Sequence, residues 1–254
     1  MEHITHLVNL NPTRKTYLYF SDDVIAVPWL ARMAERILKE GLGERIRWIC
    51  DARLDKGFTP QVCSNLYRAG CREIFFGIES GVQRVLDLIG KGTRLDVMSD
   101  AIKNVGRAGI GVYLSLIVGF PGEEEREAFA TLDFVLAHAP YIYTAQFGPF
   151  VVVKDSPIWK DSARWGVTFD RERLLDLQLT LTTEFSVSQG MAYRESYRRA
   201  EIIRRRFYRA KPTLYVDLPG FEASFDARSL LYLDRFGTDG IERMLTASTD
   251  AVAV

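Results

Sequence analysis

No stretch of this 254-residue sequence approaches the ~18 consecutive apolar residues that a membrane-spanning helix needs. The first residues, Met1 to Leu10, lack the charged start and apolar core of a secretory signal. Net charge is also missing, because 33 Lys and Arg face 33 Asp and Glu; a protein gripping nucleic acid with its whole surface is therefore not expected. Cysteine is scarce. Cys50, Cys63 and Cys71 lie 13 and 8 positions apart and read as reduced thiols of a cytoplasmic protein. His3, His6 and His138 have no metal-ligand spacing, and there is no nucleophile elbow, P-loop or dinucleotide glycine fingerprint, which argues against zinc, serine and nucleotide-hydrolysing chemistry. Fixed-period repeats and low-complexity tracts are absent too. What is present is ordinary globular composition, 47% hydrophobic and 26% charged, which predicts a soluble chain able to bury a core.

Short β-rich runs alternate with helical patterns. Tyr17-Leu18-Tyr19-Phe20 lacks polar alternation, as in a parallel strand covered on both faces. Pro28 starts a helical pattern to Glu40, with Leu30, Met33, Ala34, Ile37 and Leu38 on one face, and Gly41 and Gly43 stop it. Ile46 to Ile49 reads as a second strand, and Thr59-Pro60 opens a helix to Ala69 with Thr59 as N-cap. Ile74 to Gly77 is a third strand, followed by helical pattern through Ile89 and again from Leu95 to Ala108. Val112 to Val118 is a fourth strand, Glu123 to Ala137 a helix, and Tyr143 to Val153 a final strand region broken at Gly148-Pro149. This alternation implies an α/β fold around a parallel sheet, either doubly wound or curled into a barrel. Beyond it, Asp170 to Gln189, Tyr193 to Arg209 and Ala227 to Leu245 read as helical, with no linker that demands a second independent domain.

Ligands in such sheets bind at the C-terminal strand ends. The residues there are Ser21, Asp22 and Asp23; Cys50, Asp51 and Arg53; Gly77-Ile78-Glu79-Ser80-Gly81; and Gly119-Phe120-Pro121-Gly122-Glu123. Asp22 or Asp23 alone equally suits a helix cap, and Gly119 with Pro121-Gly122 equally suits a tight turn. Glu79 gains little as a cap so far from the next helix. Acidic, guanidinium and glycine-rich groups at four strand ends suit a small polar ligand with an amine, hydroxyls and an apolar ring.

Three of these segments, Tyr19 to Asp23, Trp48 to Arg53 and Ala69 to Gly81, resemble the radical S-adenosylmethionine enzymes. The likeness is to the subgroup often fused to a cobalamin-binding domain. Val85-Leu86-Asp87, Lys91-Gly92, Ala108-Gly109-Ile110 and Ile117-Val118-Gly119-Phe120-Pro121-Gly122-Glu123 continue the resemblance in order. It implies a partial (β/α)6 barrel lacking its first strand, with five βα units over residues 1–153 and a mostly helical extension over 154–254. It further implies that a [4Fe-4S] cluster passes an electron to S-adenosylmethionine, and that the resulting 5′-deoxyadenosyl radical takes hydrogen from an unactivated C–H bond. With cobalamin in the full-length protein, the outcome would be methylation.

By motif position, Ser21, Asp22 and Asp23 fall near the methionyl amine of the cofactor. Glu79 and Ser80 fall at its ribose or carboxylate, and Ile117, Gly119 and Pro121 at its adenine. Arg53 suits the carboxylate, because a planar guanidinium binds one in bidentate fashion. Implied partners are a small-molecule substrate and a reducing protein such as flavodoxin or ferredoxin, with no membrane and no nucleic acid.

The family's C-x3-C-x2-C cluster motif is absent, and residues 1–10 resemble the helix that follows it, so the chain is expected to start just downstream and to be inactive alone. Cys50 could face the rim, while Cys63 and Cys71 read as inert packing. Glu124 replaces the family's usual Thr and predicts a weaker helix cap. The alternative is a cluster-less remnant barrel acting as a binding or interaction module, whose exposed strand edge invites self-association. The arginines of Tyr193 to Arg209 lie mostly opposite a stripe of Tyr193, Tyr197, Ala200, Ile203 and Phe207; they form either a solvated face or a contact for RNA or an anionic substrate.

Overall fold

The computed structural model describes residues 1–169, 182–211, 225–238 and 240; the side chains of Asp22, Asp23, Thr182, Thr183 and residues 225–229 lie outside the description. Its centre is a five-stranded sheet of β1 (Thr16–Ile25), β2 (Ile46–Ala52), β3 (Cys71–Glu79), β4 (Gly111–Val118) and β5 (Thr144–Pro149), in that spatial order and parallel throughout. Strands that neighbour one another in sequence order, each followed by a crossover of the same hand, place their helices on one side of the sheet. The result is part of a barrel rather than a doubly wound sheet.

The connecting helices are α1 (Glu2–Leu10), α2 (Val27–Lys39), α3 (Pro60–Arg68), α4 (Gln83–Ile89), α5 (Leu95–Arg107) and α6 (Glu125–Ala137). Their starts follow from sequence. Pro28 and Pro60 occupy first turns, where no amide hydrogen is required, and Thr59 Oγ1 accepts the Val62 amide at 3.3 Å. Alternate strand residues (Trp48 and Cys50, Ile74 and Phe76, Leu114 and Leu116, Ala145 and Phe147) meet Leu30 and Ile37 of α2, Leu66 of α3, Ile102 and Val105 of α5, and Leu132 of α6 in one continuous core. Trp48 is fully buried and its indole N–H donates to the Ala69 carbonyl at 2.8 Å, so its one polar atom is satisfied. The other alternation, including Tyr17, Tyr19, Arg47, Asp51, Glu73, Phe75, Tyr113, Ile117 and Gln146, lines the inner face.

Several expectations change. β1 runs on to Ile25 through an irregularity after Phe20, so Ser21, Asp22 and Asp23 lie within the strand and not beyond it. β1 is not covered on both faces: Tyr17 and Tyr19 are 40% and 48% exposed on its inner side. Cys50 lies inside β2 and faces the helix-covered core rather than the rim, because the two-residue period gives the inner position to Asp51. Glu124 does not weaken the start of α6. It sits at the N-cap of a reciprocal capping box in which Glu127 accepts the Glu124 amide at 2.9 Å.

After β5 the chain forms β6 (Val152–Val153), α7 (Pro157–Lys160), β7 (Val167–Thr168), β8 (Thr182–Thr183), β9 (Ser186–Val187), α8 (Tyr193–Ala210) and α9 (Phe225–Phe236). β6 with β8 and β7 with β9 make small antiparallel pairs. The helix expected over Asp170 to Gln189 is therefore wrong at its C-terminal end, where β-branched Thr182, Thr183 and Val187 take extended structure; residues 170–181 lie outside the described residues. So do residues 239 and 241–245 of the last helical expectation. α8 packs Ala200, Ile203 and Phe207 into the main core beside Phe147 of β5. Ser196 completes that buried stripe, whereas Tyr197 is 42% exposed.

Candidate functional site at the open end of the inner face

Among the described residues, the inner face is closed at one end and open at the other. At the N-terminal strand ends, Asp234 of α9 accepts hydrogen bonds from Lys15 (2.9 Å), Tyr17 (3.0 Å) and Arg47 (2.5 Å). Leu233 and Tyr232 pack there on Tyr143. Midway up, Phe75 meets Tyr113 edge to face at 4.7 Å between centroids, and the Tyr113 hydroxyl donates to Gln146 at 2.9 Å. Above this layer lie the C-terminal strand ends, the rim on which the expected site residues fall. Tyr19 donates to Asp51 at 3.4 Å there, on the β1 side. On the β4 side Ile117 and Ile89 pack against an aromatic wall of Phe120 and Phe150, just after β4 and β5, completed by Trp159 and Phe185 of the C-terminal extension.

Glu79 is the most distinctive group on this rim. It has a left-handed backbone, φ 65°, at the centre of a three-residue turn closed by the Ser80 amide on the Ile78 carbonyl at 2.8 Å. Such a turn is strained for a residue with a Cβ, and strain of this kind gathers at functional sites. The carboxylate folds back over Gly77, where a Cβ would stand 2.7 Å from Oε1. Lys91 Nζ pairs with that oxygen at 2.8 Å, the two side chains being 23% and 19% exposed.

The other expected site residues are distributed unevenly. Ser21 is exposed on β1. Arg53 is exposed, but its guanidinium donates to the Lys91 carbonyl and, at 3.4 Å, to Thr93 Oγ1. Ile117 is half-buried on the inner face. Ser80 is fully buried: its hydroxyl shares a hydrogen bond with Thr131 Oγ1 at 3.0 Å and accepts the Val82 amide at 3.1 Å. It ties the β3–α4 turn to α6 and presents nothing to the rim. Gly119 has φ 85° and is covered by Ser196 of α8, whose Cβ would stand 2.2 Å from a Cβ on the glycine. Pro121 is buried beside it.

Glu123 holds this last turn from inside. It is fully buried, accepts the Gly119 amide on Oε2, and leaves Oε1 without a partner among the described residues. Burial pushes its carboxyl up to about 7, against the lowering effect of the backbone amides of Gly119 and Phe120. The turn is strapped from outside by the Gly122 amide on the Gln189 carbonyl at 3.0 Å and the Met191 amide on the Glu123 carbonyl at 3.2 Å.

The cysteines take no part. Cys50, Cys63 and Cys71 are buried, burial pushes each thiol up, Cys63 to about 12, and inert packing is what their surroundings provide. Along α8, Arg194 pairs with Glu184, Arg199 with Glu125 and Glu195, Arg204 and Arg205 with Glu201, and Arg206 lies over the Phe129 ring at 4.8 Å. These pairings favour the solvated-face reading of that helix.

The fold is a parallel α/β half-barrel with polar side chains gathered at its C-terminal strand ends. A model of the radical SAM superfamily matches residues 4–135, and the chain belongs to that superfamily. Among relatives, an uncharacterized methyltransferase of Pyrococcus horikoshii is 37% identical over 99 residues, 39% of this chain and 21% of that protein. A tRNA-2-methylthio-N(6)-dimethylallyladenosine synthase of Moorella thermoacetica is 35% identical over 112 residues, 41% of this chain and 24% of that protein. The chain thus spans about a quarter or less of the curated relatives it matches. Solved structures similar to it include the radical S-adenosylmethionine methyltransferase TsrM from Kitasatospora setae with cobalamin and a [4Fe-4S] cluster bound, at TM-score 0.46, 16% identity, 56% of this chain and 28% of that chain. Coproporphyrinogen III oxidase from Escherichia coli, a radical SAM enzyme, matches at TM-score 0.48 and 13% identity, over 65% of this chain and 38% of that one.

Proposed function

We propose that the open rim of the inner face binds S-adenosylmethionine, and that the whole protein is a radical S-adenosylmethionine enzyme acting on an unactivated C–H bond of a small-molecule substrate. Cobalamin-dependent methylation is the form of that activity we favour, supported by the motif resemblance and by the methyltransferase name of the Pyrococcus relative. A protein electron donor such as flavodoxin or ferredoxin belongs to the same reading.

Glu79 is the observation that carries it. A carboxylate held on a strained turn at the end of a central strand is a hydrogen-bond acceptor for a vicinal diol, and the ribose of S-adenosylmethionine supplies one. Asp51 adds a second carboxylate for a ligand bearing ammonium and sulfonium charges, and half-buried Ile117 gives an apolar surface for adenine. The residues present fit that cofactor in donor type and placement.

They do not fit an iron–sulfur cluster. All three cysteines are buried in the core, and among the described residues no group of three or more His, Cys, Asp or Glu could hold a metal ion. The part this reading gives to the described residues is to bind and orient S-adenosylmethionine. The cofactor, when bound, supplies the adenosyl group; Glu79 orients its ribose and the aromatic wall limits water beside Ile117.

Calorimetric titration of the chain with S-adenosylmethionine tests this. Glu79→Ala should weaken binding by about tenfold or more, the size of one hydrogen bond to a charged group; unchanged affinity removes Glu79 from the site. A second reading, an interaction module, rests on the outer edge of β1, which pairs with no other strand among the described residues. Concentration-dependent association without cofactor binding would favour it.

A further inference from the structure

From these contacts we infer that Lys91 is the positioning residue of the Glu79 carboxylate and that Arg53 works only through Lys91, so that neither cation is itself a ligand of the cofactor. The inference rests on the binding reading given above and goes further, because it assigns a role to Lys91 and takes Arg53 away from the cofactor carboxylate.

Lys91 is fixed at its backbone from both sides. Its amide donates to the Leu86 carbonyl at 3.0 Å, where α4 ends on left-handed Gly90 (φ 73°). Its carbonyl accepts the guanidinium of Arg53, at the end of β2. Gly92, with φ 64°, turns the chain away again, and a Cβ there would lie 3.4 Å from Arg53 Nη2. Thr93 is held by Arg53 and by Gln83, whose side-chain amide donates to the Thr93 carbonyl at 3.1 Å. A residue between two left-handed glycines, anchored through its amide and its carbonyl, has only its side chain left to move, and that side chain ends on Glu79 at 2.8 Å.

The geometry therefore runs in one line: Arg53 fixes the loop, the loop aims the Lys91 ammonium, and the ammonium holds Glu79 Oε1. Gly77 leaves the space in which that pair sits, with its absent Cβ 2.7 Å from Oε1 and 3.6 Å from Nζ. One Glu79 oxygen is occupied by Lys91, which leaves the other to accept from a ligand hydroxyl. A flexible carboxylate would pay rotamer entropy on binding; one already held by an ammonium does not. Arg53 spends its fork on a backbone carbonyl and a hydroxyl, so the bidentate carboxylate contact expected of it from sequence is not the one it makes.

A linear chain of influence has a signature that direct ligands do not share, namely that losses fail to multiply. Calorimetric titration with S-adenosylmethionine is carried out on the full chain and on Glu79→Gln, Lys91→Met, Arg53→Met, Lys91→Arg and the double variants. The expected result is a weakening of about tenfold for Lys91→Met and less for Arg53→Met. Lys91→Met should add nothing in the Glu79→Gln background, and Arg53→Met nothing in the Lys91→Met background. Lys91→Arg should recover most of the affinity, which general destabilisation would not produce. Both side chains are at least partly exposed, and matching melting temperatures exclude misfolding as the cause. Multiplying losses, or wild-type affinity in Lys91→Met, overturn this inference while leaving the cofactor reading intact. Absence of binding by the unaltered chain overturns the cofactor reading and the inference with it.

Discussion

Asp234 of α9 and Arg47 of β2 stand 187 positions apart in the chain and 2.5 Å apart in space, with side chains 9% and 5% exposed. Burial opposes ionisation of Asp234, but hydrogen bonds from Lys15, Arg47 and Tyr17 outweigh it and hold the carboxyl below its usual range. Asp234→Asn leaves buried Arg47 with only the exposed Glu44 carboxylate, 3.3 Å away, and breaking the buried pair costs about 3–5 kcal/mol. The depressed folded-state pKa means that the contribution is present above about pH 4 and is lost as pH falls through the folded value. Urea unfolding at pH 7 should show the full loss, and wild type and variant should converge in acid.

Glu123 has the opposite sign. Its folded pKa, about 7, is raised by burial, so the protonated form is the one the fold favours, and stability falls as pH rises from about 4.5 through 7. Glu123→Gln should abolish that decline, leaving the variant more stable than wild type at pH 8 by an amount on the order of 3 kcal/mol at most. Melting curves between pH 5 and 8 distinguish the outcomes: parallel pH dependence in both proteins would exclude Glu123 as its source.

Gly119→Ala meets two obstacles, a left-handed backbone and the Ser196 side chain, whose Cβ would be 2.2 Å away. A loss of about 2 kcal/mol or more is expected. Adding Ser196→Gly should return the steric share and leave the conformational share, so partial recovery in denaturant midpoint is the result that supports this geometry.

Phe207→Ala removes a fully buried ring that meets Phe147 of β5 at 5.6 Å between centroids. A cost of about 3–5 kcal/mol is expected, in one transition for sheet and α8 alike. Two separate transitions would show that α8 folds apart from the sheet.

Much of the sheet was legible because strand and helix repeats differ in period and the turns carry Pro, Gly and Thr where backbone geometry asks for them. The strand ends were harder to read. Asp22, Asp23 and Asp51 look like loop residues by polarity, yet they continue strands, since a rim residue needs only one face covered. Lys91 was visible as part of a motif but gave no sign of its partner, 12 positions earlier, because reaching Glu79 depends on where α4 ends and how two glycines turn. Ser80 misled for the reverse reason: a serine beside a rim glutamate looks like a ligand until α6 brings Thr131 against it.

The sequence by itself determined the parallel α/β architecture, its five strands, the superfamily and the place of Glu79 at a strand end, since these depend on local periodicity, turn chemistry and residues adjacent in the chain. Tertiary structure alone decided that α9 closes one end of the inner face through Asp234, that α8 covers Gly119 with Ser196, and that Arg53 is occupied by a loop carbonyl. Each of those contacts joins distant segments, and a side chain's partner is set by the packing of whole elements, which no local pattern encodes.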